Sequence, residues 1–435
     1  MKKRLLPVLF LLFALLPEYI APVLAIVIFV FAIRFDGKFT LSNTQKAFIA
    51  FFTYMIIGLF YAEKPVSGLA GMAVWLLAFC ANIAVTCQIK DRDSLDKLVF
   101  FTSLSSGIAG LIGVVQMLLY HYGALIYKPL RGMFNPFWHL LDTAVAKFAT
   151  ETLLPDSILA HFQRTEFIYI PQRASGTFTN PVFYAIFLVI TAPLAAYCMF
   201  FAKTRTKRII GFLCFVCSVA GIAVSYSRGP YLAVAVAFMC LFFYGKKYFI
   251  RLLLMAGAIL GVLLVTSSGV FRRLLTIFSS DDISINTRSD IWKACFEMLD
   301  GHLLFGYGTG TANIGDQLRD MYAIDQPHAH NLLLEVLLEN GIIGALLMIA
   351  FFVIFLIKTI RLLRRGSFCK NIAVTCIASF AGFCICSLTD YPVYGIKPLF
   401  YFMMIVSLVD AVYSFPDNSV DIPYTKTQKE LTYER

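Results

Sequence analysis

The chain has 435 residues, of which 59% are hydrophobic and only 14% are charged. With a mean hydropathy of +0.76, this composition excludes a soluble globular protein, in which about a quarter of the residues are charged. The net charge of +11 fits basic loops held against anionic lipids and does not indicate nucleic-acid binding. The sequence therefore predicts an all-α, polytopic membrane protein.

Twelve apolar segments are long enough to predict transmembrane helices. Two short ones lie within residues 5–34 and are separated by the polar turn Pro17-Glu18-Tyr19, which favours a helical hairpin over a cleavable signal peptide. The other ten segments are residues 47–62, 67–88, 98–120, 182–202, 209–226, 231–245, 250–267, 341–357, 371–388 and 398–413. We interpret residues 1–435 as a single integral membrane domain.

Basic residues sort to one side of these twelve segments. With a cytoplasmic N-terminus, the dense basic clusters all fall inside, whereas the short outer turns carry only Lys64, Arg228 and Lys397. This pattern predicts a multi-pass membrane protein with cytoplasmic N- and C-termini, whose functional site we expect on the external side. The remaining parts are a cytoplasmic tail at 414–435 and two long external segments at 121–181 and 268–330, the second of which carries the predicted catalytic region.

The first external segment contains Phe137, Trp138 and His139, followed by alternating apolar residues. This composition suggests an amphipathic helix in the headgroup region, and a spacer without chemistry is an equally good interpretation.

A histidine pair stands where the second external segment meets the next apolar helix, in the run His328-Ala329-His330-Asn331. On a continuous helix, Gly341 and Gly344 would share the face of His330, and Glu335 and Glu339 would point to the other side. The positive end of a helix dipole disfavours imidazolium, so His330 is a candidate general base. The alternative is a polar residue satisfied at the membrane interface.

Arginines at the outer boundary are candidate anion ligands. Arg228 lies in the turn Ser227-Arg228-Gly229-Pro230, where the glycine and proline explain the reversal but not the charge. Arg173 lies in a segment rich in serine, threonine and asparagine before an apolar span, where helix capping and sugar contacts are both open.

Arg288 falls in a predicted helix capped by Asn286 or Thr287, where a first-turn arginine requires an anionic partner. That partner is either Asp290 or a phosphate, which the planar guanidinium binds bidentately. The nearby pair Asp281-Asp282 can bind a divalent cation, although two carboxylates in a polar loop are more often solvated.

Cofactor motifs are missing from the sequence. Of the eleven cysteines, only Cys295 is placed well outside the membrane, which excludes an external disulfide framework. Because nucleotide-binding loops and cysteine–histidine zinc spacings are also missing, we expect no cofactor and no metal.

Taken together, these motifs resemble the bacterial O-antigen ligase and O-antigen polymerase superfamily over about residues 165–350. The resemblance rests on His330-Asn331, nine residues and Gly341-x-x-Gly344, with Ser227-Arg228-Gly229 upstream and Arg288 between. It implies a metal-independent membrane glycosyltransferase that takes a glycan from undecaprenyl diphosphate. His330, Arg228 and Arg288 would then be catalytic, and Arg173, Asn331 and His328 would bind substrate.

The motifs leave the acceptor open: it is lipid A-core for a ligase, a growing glycan for a polymerase, or a protein. The gap-free spacing from His330 to Gly341 favours the ligase slightly. A twelve-helix polysaccharide transporter fits less well, because the ionisable residues collect at one face and do not form pairs at the bilayer midplane.

Overall fold

The computed structural model describes residues 5–16, 21–32, 40–126, 173–266 and 283–415. Four features considered above lie outside these ranges: the turn at Pro17-Glu18-Tyr19, the aromatic segment around Trp138, the pair Asp281-Asp282 and the tail beyond 415.

The described part of the chain is all-helical and contains no strand, which confirms the predicted fold class. We number its α-helices in chain order as α1 Leu5–Leu15, α2 Ala21–Ala32, α3 Asn43–Leu59, α4 Pro65–Gln88, α5 Arg92–Ile126, α6 Pro181–Phe201, α7 Arg205–Val224, α8 Arg228–Cys240, α9 Lys246–Thr266, α10 Ile283–Met298, α11 Thr311–Tyr322, α12 Leu332–Leu362, α13 Ser367–Ser387 and α14 Ile396–Tyr413.

Seven of these helices, α4 to α7 and α12 to α14, are long and apolar enough to cross a membrane. Helices α1, α2, α3 and α8 coincide with four more predicted spans but have only 11 to 17 residues. The total of twelve crossings therefore stays a prediction.

Two helices form the centre of the bundle, α6 and α14, whose side chains are buried over most of their lengths. The sequence explains where α6 begins, because the side chain of Asn180 accepts a hydrogen bond from the backbone of Val182, and Pro181 occupies the first helical position. The tightly packed centre supplies a rigid base for the turns at its ends.

Helix α12, with 31 residues, is broken at Gly341, which has φ 61° and ψ −169°. Beside the break, the Leu338 carbonyl accepts a hydrogen bond from Tyr307 N–H at 2.7 Å, and the Glu339 carbonyl accepts one from Gly308 N–H at 2.9 Å. A side chain at Gly341 would meet a carbonyl oxygen of this loop at 2.2 Å. Glycine is therefore required here for both its conformation and its size.

Candidate functional site

The turn between α13 and α14 carries a buried carboxylate, Asp390, that faces two of the predicted catalytic residues. Its Oδ1 lies 3.6 Å from His330 Nδ1, and its Oδ2 lies 3.8 Å from Arg288 Nη2. Sequence reasoning missed Asp390, although an acidic residue directly after an apolar span, in Thr389-Asp390-Tyr391-Pro392, was a usable signal. Asp390 thus brings together a histidine and an arginine that are 42 residues apart in the chain.

The same turn contacts both predicted substrate-binding residues that flank His330. Asn331 donates from Nδ2 to the Leu388 carbonyl at 3.2 Å, and its Oδ1 caps α12 by accepting from Leu334 N–H. The ring of His328 is buried, with its centroid 5.6 Å from that of Tyr391. Both side chains therefore help to fix the loop around His330, and their predicted contact with substrate stays a prediction.

Asp390 is ionised over the whole physiological pH range. Burial alone raises the pKa of its carboxyl, but the neighbouring His330, His328 and Arg288 outweigh burial and lower the pKa to about 2. The Asp390 carboxylate is thus a permanent negative charge beside the imidazole of His330 and the guanidinium of Arg288.

His330 has a left-handed backbone with φ 51°, which is uncommon for a residue other than glycine. The preceding residue, Ala329, is held on both sides: its N–H donates to Glu335 Oε2 at 2.6 Å, and its carbonyl accepts from Trp292 Nε1 at 2.9 Å. The N–H of His330 itself donates to His328 Nδ1 at 3.2 Å. These bonds hold the unusual conformation, as is typical of strained residues at functional sites.

This geometry corrects the expectation of a shared helix face. Helix α12 begins at Leu332, so His330 precedes it, and the break at Gly341 separates that glycine from the first turns. Glu335 does not point away from the histidines, because its carboxylate bonds to the residue between them.

The two ring nitrogens of His330 have different surroundings. Nδ1 faces Asp390, while Nε2 lies 3.1 Å from Gln326 Oε1. The His330 side chain is only partly buried. In the contact with Gln326 Oε1, which only accepts, Nε2 carries a proton and donates it. When Gln326 is displaced, the tautomer with its proton on Nδ1, toward the carboxylate, leaves Nε2 as the basic atom. Burial, with smaller effects of His330 and Arg288, lowers the pKa of His328 to about 3, so this second imidazole remains neutral.

Arg228 is placed beside the Asp390 turn by tight packing. It is the first residue of α8, and the adjacent Gly229 fits so closely that a side-chain carbon there would lie 2.4 Å from Thr389 Oγ1. Arg173 braces this start, since its Nη2 donates to Ser227 Oγ at 2.6 Å. The described contacts of Arg173 are thus with the protein, and its predicted role toward substrate stays a prediction.

The expected cap of the Arg288 helix is wrong. Helix α10 begins at Ile283, ahead of both proposed caps, so Arg288 lies in its second turn. Asp290 pairs with Lys293 at 3.6 Å, and the carboxylate near Arg288 is Asp390. The anion that faces Arg288 therefore comes from the turn between α13 and α14, which tertiary packing brings close to α10.

Three side chains here have the chemistry of a metal site. Donor atoms of His328, His330 and Asp390 lie within 4.8 Å of one another, and two histidines with one carboxylate suit a transition metal. Arg288 already faces the same carboxylate, and its positive charge opposes a second cation there. Metal independence accordingly stays a prediction.

The fold and this charged cluster define a helical membrane protein with a histidine, a carboxylate and arginines at one end of the bundle. Residues 213–349 match the family model described as O-antigen ligase. The match confirms the resemblance inferred from the motifs, and it indicates a glycosyltransferase-like membrane enzyme of lipopolysaccharide biosynthesis. The matched range includes five of the six predicted site residues. The sixth, Arg173, lies before the range, and Asp390 lies after it. Comparison with curated proteins finds no match.

Proposed function

We propose that the protein moves a glycan from undecaprenyl diphosphate to an acceptor such as lipid A-core on the outer face of the inner membrane. The observation that carries this proposal is the position of His330 and Arg288 on opposite oxygens of Asp390. A base and a cation held by one buried carboxylate suit a reaction in which a hydroxyl loses a proton while a diphosphate leaves.

In the proposed reaction, an acceptor hydroxyl takes the place of Gln326 at His330 Nε2. The hydroxyl oxygen attacks the anomeric carbon and its proton passes to Nε2, while the bond from that carbon to the diphosphate oxygen breaks. Asp390 stabilises the imidazolium that forms. Arg228 and Arg288 bind the departing diphosphate, which they can do bidentately without a metal. No cofactor is needed.

A polymerase of the same superfamily would use the same chemistry with a growing lipid-linked glycan as acceptor. The test is incubation of the purified protein with undecaprenyl-diphosphate glycan and either lipid A-core or a second molecule of donor, followed by mass analysis. Transfer to lipid A-core alone supports the ligase, and extension of the donor supports the polymerase.

His330→Ala is expected to lose about 10² to 10⁴ in turnover, because general-base help acts in the transition state, and to retain donor binding. His328→Asn is the matched control: it keeps an acceptor for the His330 N–H and should be much milder. Near-normal single-turnover transfer by His330→Ala at saturating acceptor would remove the histidine from the mechanism.

A further inference from the structure

Two buried carboxyl groups lie beside the loop that carries His328 and His330. They belong to Glu335 and Glu339, about one turn apart at the start of α12, and these residues are only 0% and 3% exposed. The proposed reaction uses neither of them. Because a glutamate is almost never fully buried without a partner, this pair requires a physical explanation.

The surroundings of the pair supply no compensating positive charge. In the described part of the chain, no lysine or arginine pairs with either carboxyl group. Cys295 of α10 and Tyr391 of the turn between α13 and α14 are titratable neighbours, and burial raises the pKa of both side chains, so both are neutral at pH 7. Two buried carboxylates side by side would repel each other, which favours a proton on one of them.

The hydrogen bonds around the pair indicate where that proton lies. Glu335 Oε2 accepts from the Ala329 N–H at 2.6 Å, and the Glu339 carboxyl accepts from the Gly310 N–H. The two carboxyl groups are also hydrogen-bonded to each other. No other N–H or O–H of the described residues reaches the Oε1 atom of either side chain. Because carboxylate oxygens only accept, a bond between the two groups requires a proton.

We propose that Glu335 is a positioning residue for His330, held in place by a proton that it shares with Glu339. Glu335 connects Glu339, which the loop before α11 anchors, to the backbone of Ala329. Ala329 directly precedes His330, whose left-handed φ of 51° persists only where neighbouring groups hold it. Without the proton, repulsion between the two carboxylates would move Glu335 away from Ala329. The inference rests on the proposed function, in which His330 is the base.

Two substitutions of Glu335 separate the positioning role from simple packing. Glu335→Leu keeps a side chain that packs in the buried position and removes the acceptor of the Ala329 N–H. Glu335→Gln keeps that acceptor, and its amide N–H donates to Glu339 in place of the shared proton. Glu297→Gln, which changes an exposed carboxyl group of α10, is the matched control.

Steady-state transfer is measured with the acceptor varied at saturating donor, on variants that melt cooperatively in detergent. Glu335→Leu should lower kcat about tenfold, equal to about 1.4 kcal/mol. It should leave KM unchanged, because His330 acts in the transition state and not in binding. Glu335→Gln should restore most of the lost kcat, and Glu297→Gln should match wild type. Wild-type kcat in Glu335→Leu, or an equal loss in Glu335→Gln, overturns the positioning role.

An infrared measurement tests the shared proton without any transfer. A protonated carboxyl group has a carbonyl stretching band separate from that of a carboxylate, and exchange into D₂O shifts this band. At pH 7, the band should be weaker than in wild type in both Glu335→Gln and Glu339→Gln, and unchanged in Glu297→Gln. That result supports the shared proton even if the proposed transfer does not occur. An unchanged band in both variants overturns the inference and leaves the test of His330 standing.

Discussion

Replacing Asp390 by asparagine tests the charge at the centre of the site. The substitution keeps the size of the side chain and removes the negative charge that His330 and Arg288 face. The pKa of Asp390 falls from the ordinary value of 3.8 to about 2, so the ionised form is stabilised by about 2 kcal/mol, at 1.36 kcal/mol per pKa unit. If this interaction is lost when His330 becomes cationic in the transition state, turnover should fall about 30-fold.

The assay is single-turnover transfer at saturating acceptor, with donor affinity measured separately. Asp320→Asn, which removes an exposed carboxylate from α11, is the control and should retain wild-type turnover. If turnover of a folded Asp390→Asn protein stays within about twofold of wild type, below about 0.4 kcal/mol, the carboxylate does not assist His330.

Stability should follow the same charge. Because the folded-state pKa is lowered, Asp390 stabilises the protein above about pH 4, and this contribution is lost as pH falls through about 2. In detergent, the melting temperature of Asp390→Asn should be lower than that of wild type at pH 7. This difference should shrink as the pH falls from about 4 to about 2. An unchanged difference would assign the destabilisation to packing.

Three further predictions concern the arginines, metal and orientation. Arg228→Lys should lower transfer about tenfold, because it loses a charge-assisted hydrogen bond of about 1.5 to 3 kcal/mol while keeping the charge; unchanged donor affinity in Arg228→Ala would contradict this role. Transfer should survive EDTA, whereas loss on chelation and recovery with a divalent metal would show that the reaction needs a metal. In a protein without its native cysteines, Asp320→Cys should react with an impermeant maleimide from the cell exterior and Ser367→Cys should not. The reverse labelling would invert the topology.

Local patterns predicted the parts of the fold that depend on local sequence. The apolar segments anticipated the helices, and Pro181 marked the start of α6. The predicted turn at Ser227 to Pro230 was misplaced: the reversal between α7 and α8 lies at residues 225–227, and Arg228, Gly229 and Pro230 form the first turn of α8. The break in α12 was not predicted, because it depends on a loop some thirty residues earlier whose N–H groups bond to carbonyls at the break.

The candidate site shows the same division. The histidine and arginine residue types pointed to a base and an anion site, but the anion facing them, Asp390, comes from a turn 60 residues after His330. Spacing along one helix could not reveal that contact. It also misplaced Glu335, because a helix-face argument assumes that the chain is already helical at His330, where φ is 51°.

The break at Gly341 also divides α12 into two parts of different length. The part of α12 after the break, residues 342–362, is by itself about as long as the twenty residues that cross a bilayer. At about 1.5 Å per residue, residues 332–340 form a separate helical segment about 14 Å long between the break and the histidine loop. The exposed side chains of Leu303, Leu304 and Phe305 lie beside the break, at the level expected for the lipid surface. If residues 342–362 cross the bilayer, the lipid carrier of the proposed reaction stays embedded, and only its phosphates and sugars extend to the histidine loop.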